Sequence, residues 1–137
     1  MSPNPDTVNG KLEVIQESLR FLEEEEHDLS VYRDRQAVKY TLQESIEACL
    51  DIANHIIASD GLGRPEDYAE YFPCLARHDI IPDDLADKLA DMARFRNILV
   101  HLYDEVDLHA VRDILQNDLG SIRAFTKHVY AYMDERL

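Results

Sequence analysis

The sequence has no tryptophan, two cysteines, four glycines and five prolines in 137 residues. So few turn formers leave little room for the many tight turns of an all-β sandwich. Cys49 and Cys74 cannot build a disulfide framework, and they fit no zinc-ligand spacing. No apolar run approaches the roughly 20 residues that a membrane-crossing helix needs, so no membrane association is expected. The opening Met1-Ser2-Pro3-Asn4-Pro5 has neither the basic start nor the apolar stretch of a secretory signal. The expectation is a cytoplasmic protein. Basic residues are scarce, with 14 Lys and Arg against 28 Asp and Glu, a net charge of −14 with neutral His. Such a chain lacks the broad basic surface of a non-specific nucleic-acid binder. A nucleic-acid function must rest on a local basic site, or on one assembled by two chains. There is also no Gly-rich phosphate loop, no Gly-x-Ser-x-Gly elbow and no His-Glu-x-x-His.

What the sequence does have is helical periodicity. Apolar residues make up 45% and charged residues 31%, a globular balance, and the length fits one domain over 1–137 with an ordered core of about 7–134. Val8, Leu12, Ile15, Leu19 and Leu22 recur at three- and four-residue steps and predict an amphipathic helix from Thr7 to about Leu29. Its far end carries Glu23 to Glu26 and Asp28, acids that oppose the helix dipole there. A second helix is expected over Arg33–Ser59, stopped by Gly61. Its apolar residues cover much of the circumference, which places it at the centre of a bundle or at a subunit interface. Leu62 to Ile81 is broken by Gly and Pro, with room for one short helix and with Tyr68, Tyr71 and Phe72 expected to pin it to the core. Pro82 opens a further helix whose stripe runs through Leu85, Leu89, Met92, Phe95, Leu99, Leu102 and Val106. A last helix follows Asp107, with a bend expected at Gly120. The fold expected is an all-α, up-down bundle of four long helices and one short one.

One segment carries chemistry: Arg94-Phe95-Arg96-Asn97-Ile98-Leu99-Val100-His101-Leu102-Tyr103. At about 100° per residue, Arg96 and Tyr103 lie about 60° and 40° from Leu99, at the edge of the core stripe. Asn97, His101 and Asp104 lie about 140–200° round, on the face away from the core. Taken alone, an exposed His on a helix is usually solvated and inert.

The full pattern Arg-Asn-x-x-x-His-x-Tyr, with Met92-Ala93-Arg94-Phe95 before it and Glu105-Val106-Asp107 after it, resembles the HEPN superfamily, and within it the HepT-like toxin subunits. Arg35 to Tyr40 leading into Ile46 to Ala53 is similar to the family's second helix, and the likeness spans roughly residues 7 to 134. The resemblance implies a homodimer, with Arg and His of both chains meeting in an interface cleft. It implies a metal-independent endoribonuclease acting on tRNA or mRNA, without a cofactor. It also implies a nucleotidyltransferase antitoxin that silences the toxin by transferring AMP to a tyrosine. Carried onto this sequence, Arg96 and His101 are catalytic, Asn97 is the supporting polar residue and Tyr103 is the AMPylated one.

The chemistry is sensible on its own terms. Metal-free RNA cleavage uses the substrate's 2′-hydroxyl as nucleophile and needs a base and an acid working near neutral pH, which His can supply. It also needs a fixed cation on the phosphate, which Arg can grip through two oxygens. Arg94 is a further possible RNA contact, and two copies of Arg94 and Arg96 would make a basic cleft on an acidic protein. The competing readings are a non-catalytic nucleotide- or partner-binding subunit of a nucleotidyltransferase complex, and a plain helical interaction protein. Elsewhere, Asp51 and His55 stand four apart, but two ligands do not make a metal site. Glu44, Glu47 and Asp51 would line the cleft if the second helix faces the dimer axis.

Overall fold

The computed structural model describes residues 2–101 and 108–136, with the side chains of Val100 and His101 outside the description. Its described residues form helices α1 (Pro5–Glu24), α2 (Tyr32–Asp60), α3 (Tyr71–Arg77), α4 (Asp83–His101), α5 (Leu108–Asn117) and α6 (Leu119–Asp134), with a 3₁₀ turn at Tyr68–Glu70 and no strand.

Each helix begins for a local reason. The Asn4 side chain accepts the N–H groups of Asp6 and Thr7, and Pro5 occupies the first helical position, where a missing N–H is harmless. Asp83 and Asp84 place negative charge at the positive end of α4, directly after Pro82. Gly61 closes α2 in the left-handed conformation, φ 64°, and donates its N–H to Ile57 O. With nothing near an added Cβ, backbone strain alone selects glycine there.

α2 is the axis of the bundle. It packs against α1, α3, α4 and α6. Val38, Leu42, Ile46, Cys49, Leu50, Ile52, Ala53, Ile56 and Ile57 are all buried, so its wide apolar face serves several neighbours at once. Phe72 of α3 meets Phe125 of α6 edge-on at 5.5 Å, and both are fully buried. No described helix is long and apolar enough to cross a membrane.

The elements depart from expectation in three places. α1 stops at Glu24, five residues before Leu29. The acids past that point face the negative helix end, and the His27 ring takes over a last-turn carbonyl by meeting Phe21 O at 2.7 Å. The last helix is two helices, divided at Asp118 rather than at Gly120. Asp118 sits at φ −113°, ψ −8°, and Ser121 N–H bonds its carbonyl at 3.0 Å, so the chain restarts there in a tightened turn. Phe72 pins the broken segment as expected and Tyr71 is half-buried, but Tyr68 is 49% exposed and points elsewhere. Leu102, Val106 and Asp107 lie outside the described residues.

Candidate active site

Arg96 lies on α4 where that helix faces α2 and the 3₁₀ turn. Its position at the edge of the core stripe leaves the side chain about one-fifth exposed. Glu47, on the polar edge of α2, reaches across to it. Arg96 donates Nε–H at 3.0 Å and Nη2–H at 2.6 Å to the same oxygen, Glu47 Oε1. Gln43, one turn earlier on α2, donates its amide to that oxygen at 3.2 Å. Arg96 also donates from Nη1 to Asn97 Oδ1 at 3.0 Å. The guanidinium carbon lies over the Tyr68 ring, 5.7 Å from its centre.

The result is a cation fixed from three directions. A guanidinium has five N–H donors. Three are committed to Glu47 and Asn97, which leaves one on each Nη for an incoming oxyanion among the described residues. Arg can offer two such donors to two phosphate oxygens.

Asn97 is half-buried and turned back on Arg96, rather than standing on an open face. His101 is the last residue of α4, five positions after Arg96. Five residues advance a helix by about 7.5 Å and turn it by about 140°. Tyr103 lies outside the described residues, as does the side chain of His101. Arg94 is exposed and bonded to Asp91 on its own helix at 2.9 Å. Two residues are about 200° apart on a helix, so one chain does not pool Arg94 with Arg96.

Of Glu44, Glu47 and Asp51 on α2, Glu47 joins the site, whereas Asp51 pairs with Lys11 at 3.1 Å. His55 Nε2 accepts the Asn4 N–H at 2.9 Å. His27 and His78 meet the carbonyls of Phe21 and Leu62 rather than solvent alone. Cys49 is buried among the core residues of α2, and burial pushes its thiol pKa up, so it is inert. Cys74 is likewise buried, its Sγ 3.5 Å from Leu62 O. Tyr68 was not legible as a site residue, because nothing in a Gly- and Pro-broken segment fixes which aromatic turns outward.

A family model described as ribonuclease HepT-like matches residues 9–129. The chain belongs to that family. It is 32% identical over 124 residues to the mRNA nuclease HepT of Shewanella oneidensis, covering 88% of this chain and 93% of that protein. It is 26% identical over 134 residues to the tRNA nuclease HepT of Aphanizomenon flos-aquae, covering 94% and 91%. Among solved structures it superposes on a tri-AMPylated Shewanella oneidensis HEPN toxin in complex with an MNT antitoxin, with a TM-score of 0.86 and 31% identity over 93% of this chain and 99% of that one. HepT-like membership brings an endoribonuclease activity of the toxin kind. It favours catalysis over the binding-only subunit.

Proposed function

We propose that this HepT-like chain is the RNA-cleaving toxin of a toxin–antitoxin pair, acting on mRNA or tRNA without a metal, as a homodimer. The observation that supports this most is the fixed Arg96 guanidinium, held by Glu47 and Asn97 with two donors left among the described residues. In this reading the guanidinium holds the scissile phosphate. A base removes the 2′-hydroxyl proton, O2′ attacks phosphorus, the P–O5′ bond breaks, and an acid returns a proton to O5′. The products are a 2′,3′-cyclic phosphate and a 5′-hydroxyl. His101 takes one of the proton-transfer roles and its copy in the second chain takes the other. The divergence of Arg96 and His101 around one helix supports a site completed by a second copy. Asn97 orients Arg96, and Arg94 is an outer contact to the RNA backbone.

Silencing falls to a nucleotidyltransferase antitoxin that transfers AMP to the hydroxyl of Tyr103. The added AMP brings bulk and negative charge to a protein whose substrate is itself an anion.

The test is a single-stranded RNA carrying one 2′-deoxynucleotide on the 5′ side of the cleaved bond. That bond should resist, while the all-ribose RNA should yield 2′,3′-cyclic phosphate ends. Cleavage at the deoxy position would overturn the mechanism.

A further inference from the structure

Tyr68 has an unusual setting for a large aromatic. It is half exposed, yet held on two sides. Its ring meets the Tyr71 ring edge-on at 5.9 Å and 89°, and the Arg96 guanidinium lies over it at 5.7 Å. The backbone beneath is fixed as well, because the Asp67 side chain and carbonyl both accept the Glu70 N–H that closes the 3₁₀ turn. Burial does not explain the ring, and its hydroxyl has no hydrogen-bond partner among the described residues. A half-exposed aromatic ring on a fixed turn therefore stands beside an ordered cation.

A nucleotide offers the complement of that pair: an anionic phosphate and, a few ångströms away, an aromatic base. We infer that Tyr68 is a stacking platform for a nucleobase flanking the phosphate held by Arg96. This rests on the proposed ribonuclease site and adds a base subsite to it. The contact with the ring uses none of the guanidinium N–H groups, and one on each Nη stays uncommitted among the described residues. Stacking tolerates any base, because every base has a π-face. It does require the base to be unstacked from its own strand, so the platform selects single-stranded segments and loops over duplex. Specificity of this kind suits an acidic protein that cannot rely on a broad basic surface.

The test uses the full chain with short single-stranded RNAs that carry 2-aminopurine at one position, moved along the strand. Binding is measured with His101→Ala, so that the RNA stays intact. A quench confined to one or two adjacent positions is expected. It should vanish when Tyr68→Ala is added and persist when Tyr68→Phe is added. In cleavage, Tyr68→Ala should raise KM by roughly 5- to 150-fold. An abasic residue at the quenched position should cost the wild type a similar factor and cost Tyr68→Ala little more. A position-specific quench that survives Tyr68→Ala, or a Tyr68→Ala loss undiminished on the abasic RNA, would overturn the platform. Absence of cleavage by the wild type would instead count against the ribonuclease reading, while the quench still decides the role of Tyr68.

Discussion

Arg96 and Glu47 meet through a single carboxylate oxygen, which accepts both Nε–H and Nη2–H across the gap between α4 and α2. The side chains are 20% and 36% exposed, so the pair adds little to stability, less than about 1 kcal/mol. Its consequence is positional. Without Glu47 the guanidinium keeps only the Asn97 bond and the Tyr68 contact, and a misplacement of about 1 Å can cost on the order of 100-fold in rate. Glu47→Ala should lower kcat on RNA by about 10-fold or more with an unchanged helical circular-dichroism spectrum. Glu47→Gln, which keeps one acceptor, should lie between. A kcat at or above wild type for Glu47→Ala would show that the carboxylate restrains Arg96 rather than positioning it.

Leu99 and Ile98 are neighbours on α4 with opposite fates, one 8% and the other 44% exposed. Leu99→Ala should destabilise the fold by about 2–5 kcal/mol, the cost of truncating a buried leucine. Ile98→Ala should change it by less than about 0.5 kcal/mol. Urea titration of both variants checks the rotation of α4 that places Arg96 at the core edge.

That rotation was legible from the sequence, since the stripe Leu85, Leu89, Met92, Leu99 is buried as read. So was the stop at Gly61, whereas the wide apolar face of α2 fitted a bundle centre or a subunit interface, and its contacts with four helices place it at the centre. What escaped reading involves contacts between elements. Periodicity says that Glu47 is on a polar edge, but not that the edge faces Arg96. It says nothing of Tyr68, whose direction is set by a 3₁₀ turn capped by Asp67. Asn97 was assigned by rotation alone to an open face, yet its short side chain turns back to serve the neighbouring arginine. Helix ends were harder still: the α1 stop involves a histidine ring that takes a last-turn carbonyl, and the break at Asp118 is a backbone turn closed by Ser121 N–H, which periodicity does not mark.

At the far end of the bundle, Tyr132 donates its hydroxyl to Asp60, and Arg136 lies over the Tyr132 ring and also bonds Asp60. Burial, then the bond to Asp60, push the Tyr132 pKa up to about 12. The fold thus favours the protonated phenol. Its contribution is fully present below about pH 10, the ordinary tyrosine value, and is lost as pH rises from there through 12. Tyr132→Phe should cost about 1.5 kcal/mol at neutral pH and should flatten the fall in stability over that alkaline window. Denaturant midpoints from pH 8 upward would show it, and an equally steep fall in both proteins would contradict the assignment.

The central claim, an RNA-cleaving site built on Arg96 and His101, is tested most directly by one assay. Purified wild type, Arg96→Ala and His101→Ala are incubated with cellular RNA in excess EDTA, and the mass of Tyr103 is checked so that no AMPylated protein is scored. Cleavage by wild type alone, unaffected by the chelator, is the expected result. An unmodified, folded wild type that leaves the RNA intact, or variants that cleave as well as it does, would contradict the claim.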